Sequence, residues 1–193
     1  WDDELSEAGA TIVQARQRAL ERLGRDAAGR YPELGSEGET LEIRYQPALP
    51  GELQSTIPAD EFQAQFRQAI EEGRQQDVWR GATRFGPHRD DVGFLIGGHD
   101  AAISASRGQQ RTAALALRLS EVALSTETTS DPPALLLDDI LSELDAHHRD
   151  RILHAAYAVD QVLITTPDGD RPGRSELPEA KRYVLEDGEL KPL

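Results

Sequence analysis

Two adjacent acids close a short apolar run, Ala134-Leu-Leu-Leu-Asp138-Asp139, and form the sharpest chemical feature of the chain. A run of this kind reads as a buried strand of a parallel sheet. Ligands of open parallel sheets gather at the carboxyl ends of the strands. A carboxylate at that point can hold Mg²⁺, usually through water. A second beside it can orient or deprotonate a water molecule. Like charges so close repel unless a cation sits between them. On these residues alone, a turn merely capped by both acids is an equal alternative.

A second feature is Ser106-Arg107-Gly108-Gln109-Gln110-Arg111, which opens a helical pattern. A helix start offers free N–H groups and a positive dipole end, and a hydroxyl, a bare glycine and an amide suit contact with phosphate oxygens. Alone, an ordinary serine cap is the better reading. Another polar cluster, His88-Arg89-Asp90-Asp91, is too tight for one metal shell. A buried Arg–Asp network suits it better. His147 and His148 start a helix and are expected in solvent, and Trp1 and Trp79 are expected to pack.

The elements that must position these groups follow from periodicity. Leu5, Ala8, Ile12, Ala15, Ala19 and Leu23 mark one face of a helix from Trp1 to about Arg30. Leu41, Ile43 and Tyr45 alternate with charge as in a half-buried strand. Pro58 and Asp60 open a second helix with Phe62, Phe66 and Ile70 on one side. Val92, Phe94 and Ile96 alternate before a Gly97-Gly98 turn. Leu115, Leu119 and Val122 share a face of a helix ending at Leu124, and Ser125 to Pro133 reads as a loop. A helix capped by Asp145 and running to about Val159, then a strand Val162–Thr165, complete a βαβ unit. Asp187-Gly188 joins a last hairpin.

The 193 residues suffice for one domain or a little more. Cysteine is absent, which excludes disulfides, thiolate metal sites and thiol nucleophiles. The net charge of −14 repels a phosphate backbone unless the cations cluster, and charge alone argues against nucleic-acid binding. The basic residues are nearly all arginine, with Lys181 and Lys191 the only lysines. No apolar run is long enough to cross a bilayer. The chain starts at Trp1 and holds no methionine, so it is expected to be a segment of a longer protein.

Taken together, Gly86-Pro-His-Arg-Asp-Asp91, Ser106-Arg-Gly-Gln-Gln-Arg111 and Leu135-Leu-Leu-Asp-Asp-Ile-Leu-Ser-Glu-Leu-Asp145 resemble the RecF family of ABC-type DNA-repair ATPases. The end of the next strand, Ile164-Thr165-Thr166, resembles the family too. The likeness is close from Asp77 to Asp168. It implies an α/β fold, the C-terminal part of an ABC-type P-loop ATPase head with a parallel-sheet βαβ core and a helical, mixed second lobe. Residues 1–80 would be the arm and second-lobe region, and residues 81–193 the ATPase-lobe portion.

By the same resemblance, Asp138 is the Walker B acid that positions Mg²⁺, and Asp139 the general base or water-orienting residue. Ser106, Gly108 and Gln109 form the signature that touches the γ-phosphate of ATP held by a second subunit. Asp145 is the D-loop acid at the interface, and Thr166 follows the strand where many relatives of this class place a switch histidine. The implied whole is a cytoplasmic, ATP-dependent homodimer acting in replication, recombinational repair and the SOS response. It would bind gapped or single-strand/double-strand junction DNA and help recombination-mediator proteins load recombinase, with no membrane role.

The phosphate-gripping Gly-x-x-x-x-Gly-Lys-[Ser/Thr] is missing from this sequence, since Ala180 precedes Lys181 and Leu190 precedes Lys191. The chain is therefore expected to be inactive alone. Thr166-Pro167 in place of the histidine leaves the γ-phosphate sensor open. The alternatives are another SMC- or Rad50-like head, a self-contained Mg²⁺-dependent phosphohydrolase built on Asp138 and Asp139, and a non-catalytic interaction domain.

Overall fold

The computed structural model describes residues 1–36, 38–49, 58–141, 146–167 and 179–193. In chain order these form α1 (Asp2–Glu33), β1 (Leu41–Gln46), α2 (Ala59–Arg80), β2 (Asp91–Ile96), β3 (His99–Asp100), α3 (Ala101–Ser104), α4 (Arg107–Thr129), β4 (Leu135–Asp138), α5 (Ala146–Tyr157), β5 (Val162–Thr165), β6 (Tyr183–Glu186) and β7 (Glu189–Pro192). No helix among the described residues is long and apolar enough to cross a membrane.

The strands make three separate sheets: an antiparallel β1-β2-β3, a parallel β4-β5 and a β6-β7 hairpin. The βαβ unit therefore forms as the periodicity predicts, with Leu135 opposite Val162 and Asp138 opposite Thr165. One face of this pair is packed through Leu135 and Leu137, whereas Leu136 and Leu163 on the other face are 69% and 54% exposed. The expected fully buried strand is thus buried on one face only among the described residues. The last hairpin turns through Asp187 and Gly188, both at positive φ. Asp-Gly supplies that pair of conformations at low cost.

Helix α1 departs from its apparent stripe. Leu5 and Ile12 are exposed, and the buried face is Ser6, Gly9, Ala10, Val13 and Gln17, then Ala27 and Tyr31. The reason is the closeness of α2. A β-carbon on Gly9 would stand 2.6 Å from the Phe66 ring, so small residues face the aromatic pair Phe62 and Phe66. Large residues on that side would force the helices apart. The apolar stripe of α2 does face inward as its spacing predicts.

Helix α4 also differs, running through the Ser125–Thr129 stretch expected to be loop. Thr126, Thr128 and Thr129 donate their hydroxyls to the carbonyls of Val122, Leu124 and Ser125 at 2.7–2.8 Å. Such back-bonding lets threonine persist in a helix despite its modest propensity. Ser130 then ends it in the left-handed conformation.

Two cores result. One gathers Ala10, Val13, Tyr45, Phe62, Phe66 and Ile70. The other joins Ala27, Tyr31 and Leu34 to α4, β4 and α5. At the edge of the first, the side chain of Asp90 is 1% exposed. It accepts hydrogen bonds from the Tyr45 hydroxyl and, at 2.7 Å, from the Ala48 N–H. Arg16 stands 3.8 Å away. The buried acid of the His88–Asp91 cluster is thus partnered by Arg16 and not by its neighbour Arg89, which is exposed. Burial first, then the Asp90 carboxylate, pushes the Tyr45 phenol well above its ordinary range. Asp90→Ala strands these donors and should cost roughly 2–4 kcal/mol in urea unfolding. Tyr45→Phe, which removes one bond only, should cost about 1 kcal/mol. Equal losses from the two variants would contradict the network.

Candidate functional site

Asp138 is the last residue of β4 and pairs across the sheet with Thr165, the last residue of β5. The Thr165 hydroxyl donates to Asp138 Oδ1. The backbone of Asp139 is tied to the same residue, its N–H donating to the Thr165 carbonyl at 3.1 Å and lying 3.2 Å from the Thr165 hydroxyl oxygen. The parallel register therefore brings two acids and a hydroxyl to one strand end. Both carboxylates are exposed. With Oδ1 of Asp138 held by Thr165, an exposed carboxylate at this strand end can meet a water-coordinated cation.

Asp139 has a φ of 50°, in the left-handed region. Aspartate tolerates it better than most residues. The kink ends the strand at Asp138.

The other group lies at the start of α4. Ser106 is its N-cap, and Gln109 completes a capping box. The Gln109 N–H donates to Ser106 Oγ at 3.2 Å, and the Ser106 N–H donates to Gln109 Oε1 at 2.8 Å. Ser106 and Gly108 are exposed, and Gln109 is half-buried. The N–H groups of Arg107 and Gly108, at the first two helical positions, have no intrahelical acceptor. They point outward with the positive end of a 23-residue helix behind them.

Sequence reasoning placed Asp138, Asp139, Ser106, Gly108 and Gln109, and the structure brings them together as two separate groups. Thr166 is half-buried one residue beyond Thr165, its hydroxyl 3.5 Å from the Pro167 carbonyl. Asp145, with the rest of residues 142–145, lies outside the described residues. On either side of that stretch, Arg149 donates to the Leu141 carbonyl at 3.2 Å. Thr165 was missed as a site residue. The signal for it was the register, since a parallel partner strand ends opposite the Walker-type acid. Glu39 was also missed. It accepts from Gln109 Nε2 at 2.6 Å across 70 residues of sequence, and nothing local announces it.

The strained position gives a test of the geometry. In urea unfolding of this chain, Asp139→Gly removes the carboxylate and the φ strain together and is the reference for the backbone comparison. Asp139→Val should lose about 1–2 kcal/mol relative to it, since a β-branched residue disfavours the left-handed region. Valine equal to glycine would mean that the chain does not turn there as described.

No family model matches the chain. The DNA replication and repair protein RecF of Halalkalibacterium halodurans is 36% identical over 189 residues, which are 98% of this chain and 50% of that protein. The RecF protein of Symbiobacterium thermophilum is 39% identical over 168 residues, 87% of this chain and 44% of that one. A solved structure, described as the recombination mediator protein RecF-ATP in the RecFOR pathway, matches with a TM-score of 0.78 and 31% identity, over 100% of this chain and 49% of that one. The chain thus spans about half the length of the relatives it matches. Both matches cover nearly the whole chain, and this chain belongs to the RecF family.

Proposed function

We propose that this chain is the C-terminal part of an ATP-dependent DNA-repair ATPase head that contributes two half-sites to a nucleotide-sandwiched homodimer. The observation that carries the reading is the strand end where Thr165 holds Asp138 and Asp139 leaves the sheet. In this reading Asp138 positions Mg²⁺ on ATP through water. The donor set of carboxylate and hydroxyl oxygens suits a hard cation that keeps most of its water. When bound, that ion neutralises charge on the phosphates. Asp139 orients the attacking water and accepts its proton.

Ser106 and Gly108 meet the γ-phosphate bound by the partner head. Their N–H groups and hydroxyl are donors preset for an anion, as transition-state charge requires. One nucleotide is then served by the acids of one head and the signature of the other. Asp145 and Thr166 belong to the interface and to the strand-end sensor in this scheme. The 193 residues hold no Gly-Lys phosphate loop, so the chain by itself does not turn over ATP.

The wider reading follows the relatives. Residues 1–80 form the arm and second-lobe region, and residues 81–193 the ATPase-lobe portion. The whole protein acts in the cytoplasm at gapped or single-strand/double-strand junction DNA, with recombination-mediator partners. With a net charge of −14, this half contacts DNA only through clustered arginines or leaves that contact to the rest of the dimer.

Two substitutions in the full-length protein test the reading. Asp139→Asn keeps a residue tolerant of positive φ, so ATP binding should persist while hydrolysis slows by roughly 10²-fold or more. Hydrolysis at the normal rate would remove Asp139 from its role. Ser106→Arg puts bulk where the backbone must approach phosphate. It should spare ATP binding by a single head and abolish ATP-driven dimerisation in analytical ultracentrifugation. A dimer of normal affinity would reduce Ser106 to a helix cap.

A further inference from the structure

Glu39 sits in the connection between α1 and β1, far in sequence from any chemical motif. Its Oε1 accepts from Gln109 Nε2 at 2.6 Å, and its Oε2 accepts from the Tyr31 hydroxyl at 3.0 Å. Tyr31 is wholly buried in the last turn of α1. Burial first, with the Glu39 carboxylate adding to it and Ser36 opposing, holds its phenol above the usual range. The hydroxyl therefore stays protonated as a donor.

A carboxylate offers acceptors only. Gln109 must then turn its NH₂ toward Glu39, which leaves Oε1 for the Ser106 N–H. The orientation of the amide, which a glutamine alone does not fix, is set from outside the helix. Gln109 commits one amide N–H to Glu39 and its Oε1 to Ser106, and the Ser106 N–H is taken. What remains for an anion is the Ser106 hydroxyl hydrogen, the N–H groups of Arg107 and Gly108, and the second amide N–H of Gln109.

We propose that Glu39 is a positioning residue for the signature helix start, and that Gln109 is the brace through which it holds Ser106. This rests on reading Ser106 and Gly108 as the half-site for a nucleotide held by a second head. The brace ends on a rigid support. Arg151 of α5 donates to the Glu33 carbonyl at 3.3 Å, and the His148 ring fills the space over Gly35, whose φ is 112°. The end of α1 is thus held against α5 while its neighbour Glu39 holds α4.

The chemistry of the pair allows an exchange. Gln109→Glu alone sets two carboxylates face to face. Glu39→Gln combined with Gln109→Glu rebuilds every bond: Tyr31 donates to the new amide oxygen, the new amide NH₂ donates to the new carboxylate, and Ser106 N–H donates to that carboxylate as well. In the full-length protein with ATP and Mg²⁺, Gln109→Glu should weaken dimerisation by roughly 10-fold or more, the scale of one lost charge-assisted hydrogen bond. ATP binding by the dilute monomer should not change. The exchanged pair should return dimer affinity to within about 3-fold of wild type, as a restored pair does in a double-mutant cycle. Glu39→Ala should weaken the dimer in the same way; because it also strands the buried Tyr31 hydroxyl, its melting temperature is read beside its dimer affinity.

Ser106→Arg is measured beside them. If it abolishes the dimer while Gln109→Glu and Glu39→Ala dimerise normally, the positioning role fails and the half-site reading stands. If the exchanged pair melts and binds ATP normally yet does not dimerise, the brace is again refuted. If Ser106→Arg also dimerises normally, the half-site reading fails and the role of Glu39 falls with it.

Discussion

Helix α1 is buried along both of its halves, and the placement of every chemical group follows from that constraint. Its first half lies so close to α2 that a β-carbon at Gly9 would meet the Phe66 ring. Its second half, through Ala27, Tyr31 and Leu34, enters the core shared by α4, β4 and α5. At 32 residues it runs roughly 48 Å. A single rigid rod thus fixes two packing units in one frame, and β1, which follows it, pairs with β2 beyond α2. The helix that opens with Ser106 and the strand that ends with Asp138 are both read off against this rod.

The two chemical groups are built by different forces. At the strand end the backbone decides, because parallel pairing places Thr165 opposite Asp138 and the hydroxyl follows. At the helix start side chains decide, because capping is a contest among short polar groups for a few N–H donors. Backbone-determined sites depend little on neighbouring sequence. Capping sites respond to any acceptor that reaches them, and Glu39 is such an acceptor.

Legibility in the sequence tracks this difference. The acids at the end of β4, the βαβ order and the Asp187-Gly188 turn could be read directly, since each is a local pattern with a local cause. The outward face of α1 could not, because its stripe of Leu5 and Ile12 looks more apolar than the Gly9, Ala10 and Val13 face that is buried. Hydrophobicity ranks residues, whereas close helix packing selects for smallness. The end of α4 was hidden because threonine hydroxyls satisfied by their own carbonyls do not register as helical in a propensity reading. Thr165 was within reach once β4 and β5 were paired. Glu39 was not, since a contact across 70 residues leaves no trace in one sequence.

The bare face of the β4–β5 pair has a colloidal consequence. Leu136 and Leu163 present apolar surface on a sheet that, among the described residues, has no strand beyond β4 and β5. Surfaces of this sort attract their own kind at high protein concentration. The net charge of −14 opposes that attraction over about 10 Å at 0.1 M ionic strength and less as salt is added. The solubility of this chain is therefore a balance between a short-range stickiness and a screened repulsion, and added salt tips it toward association.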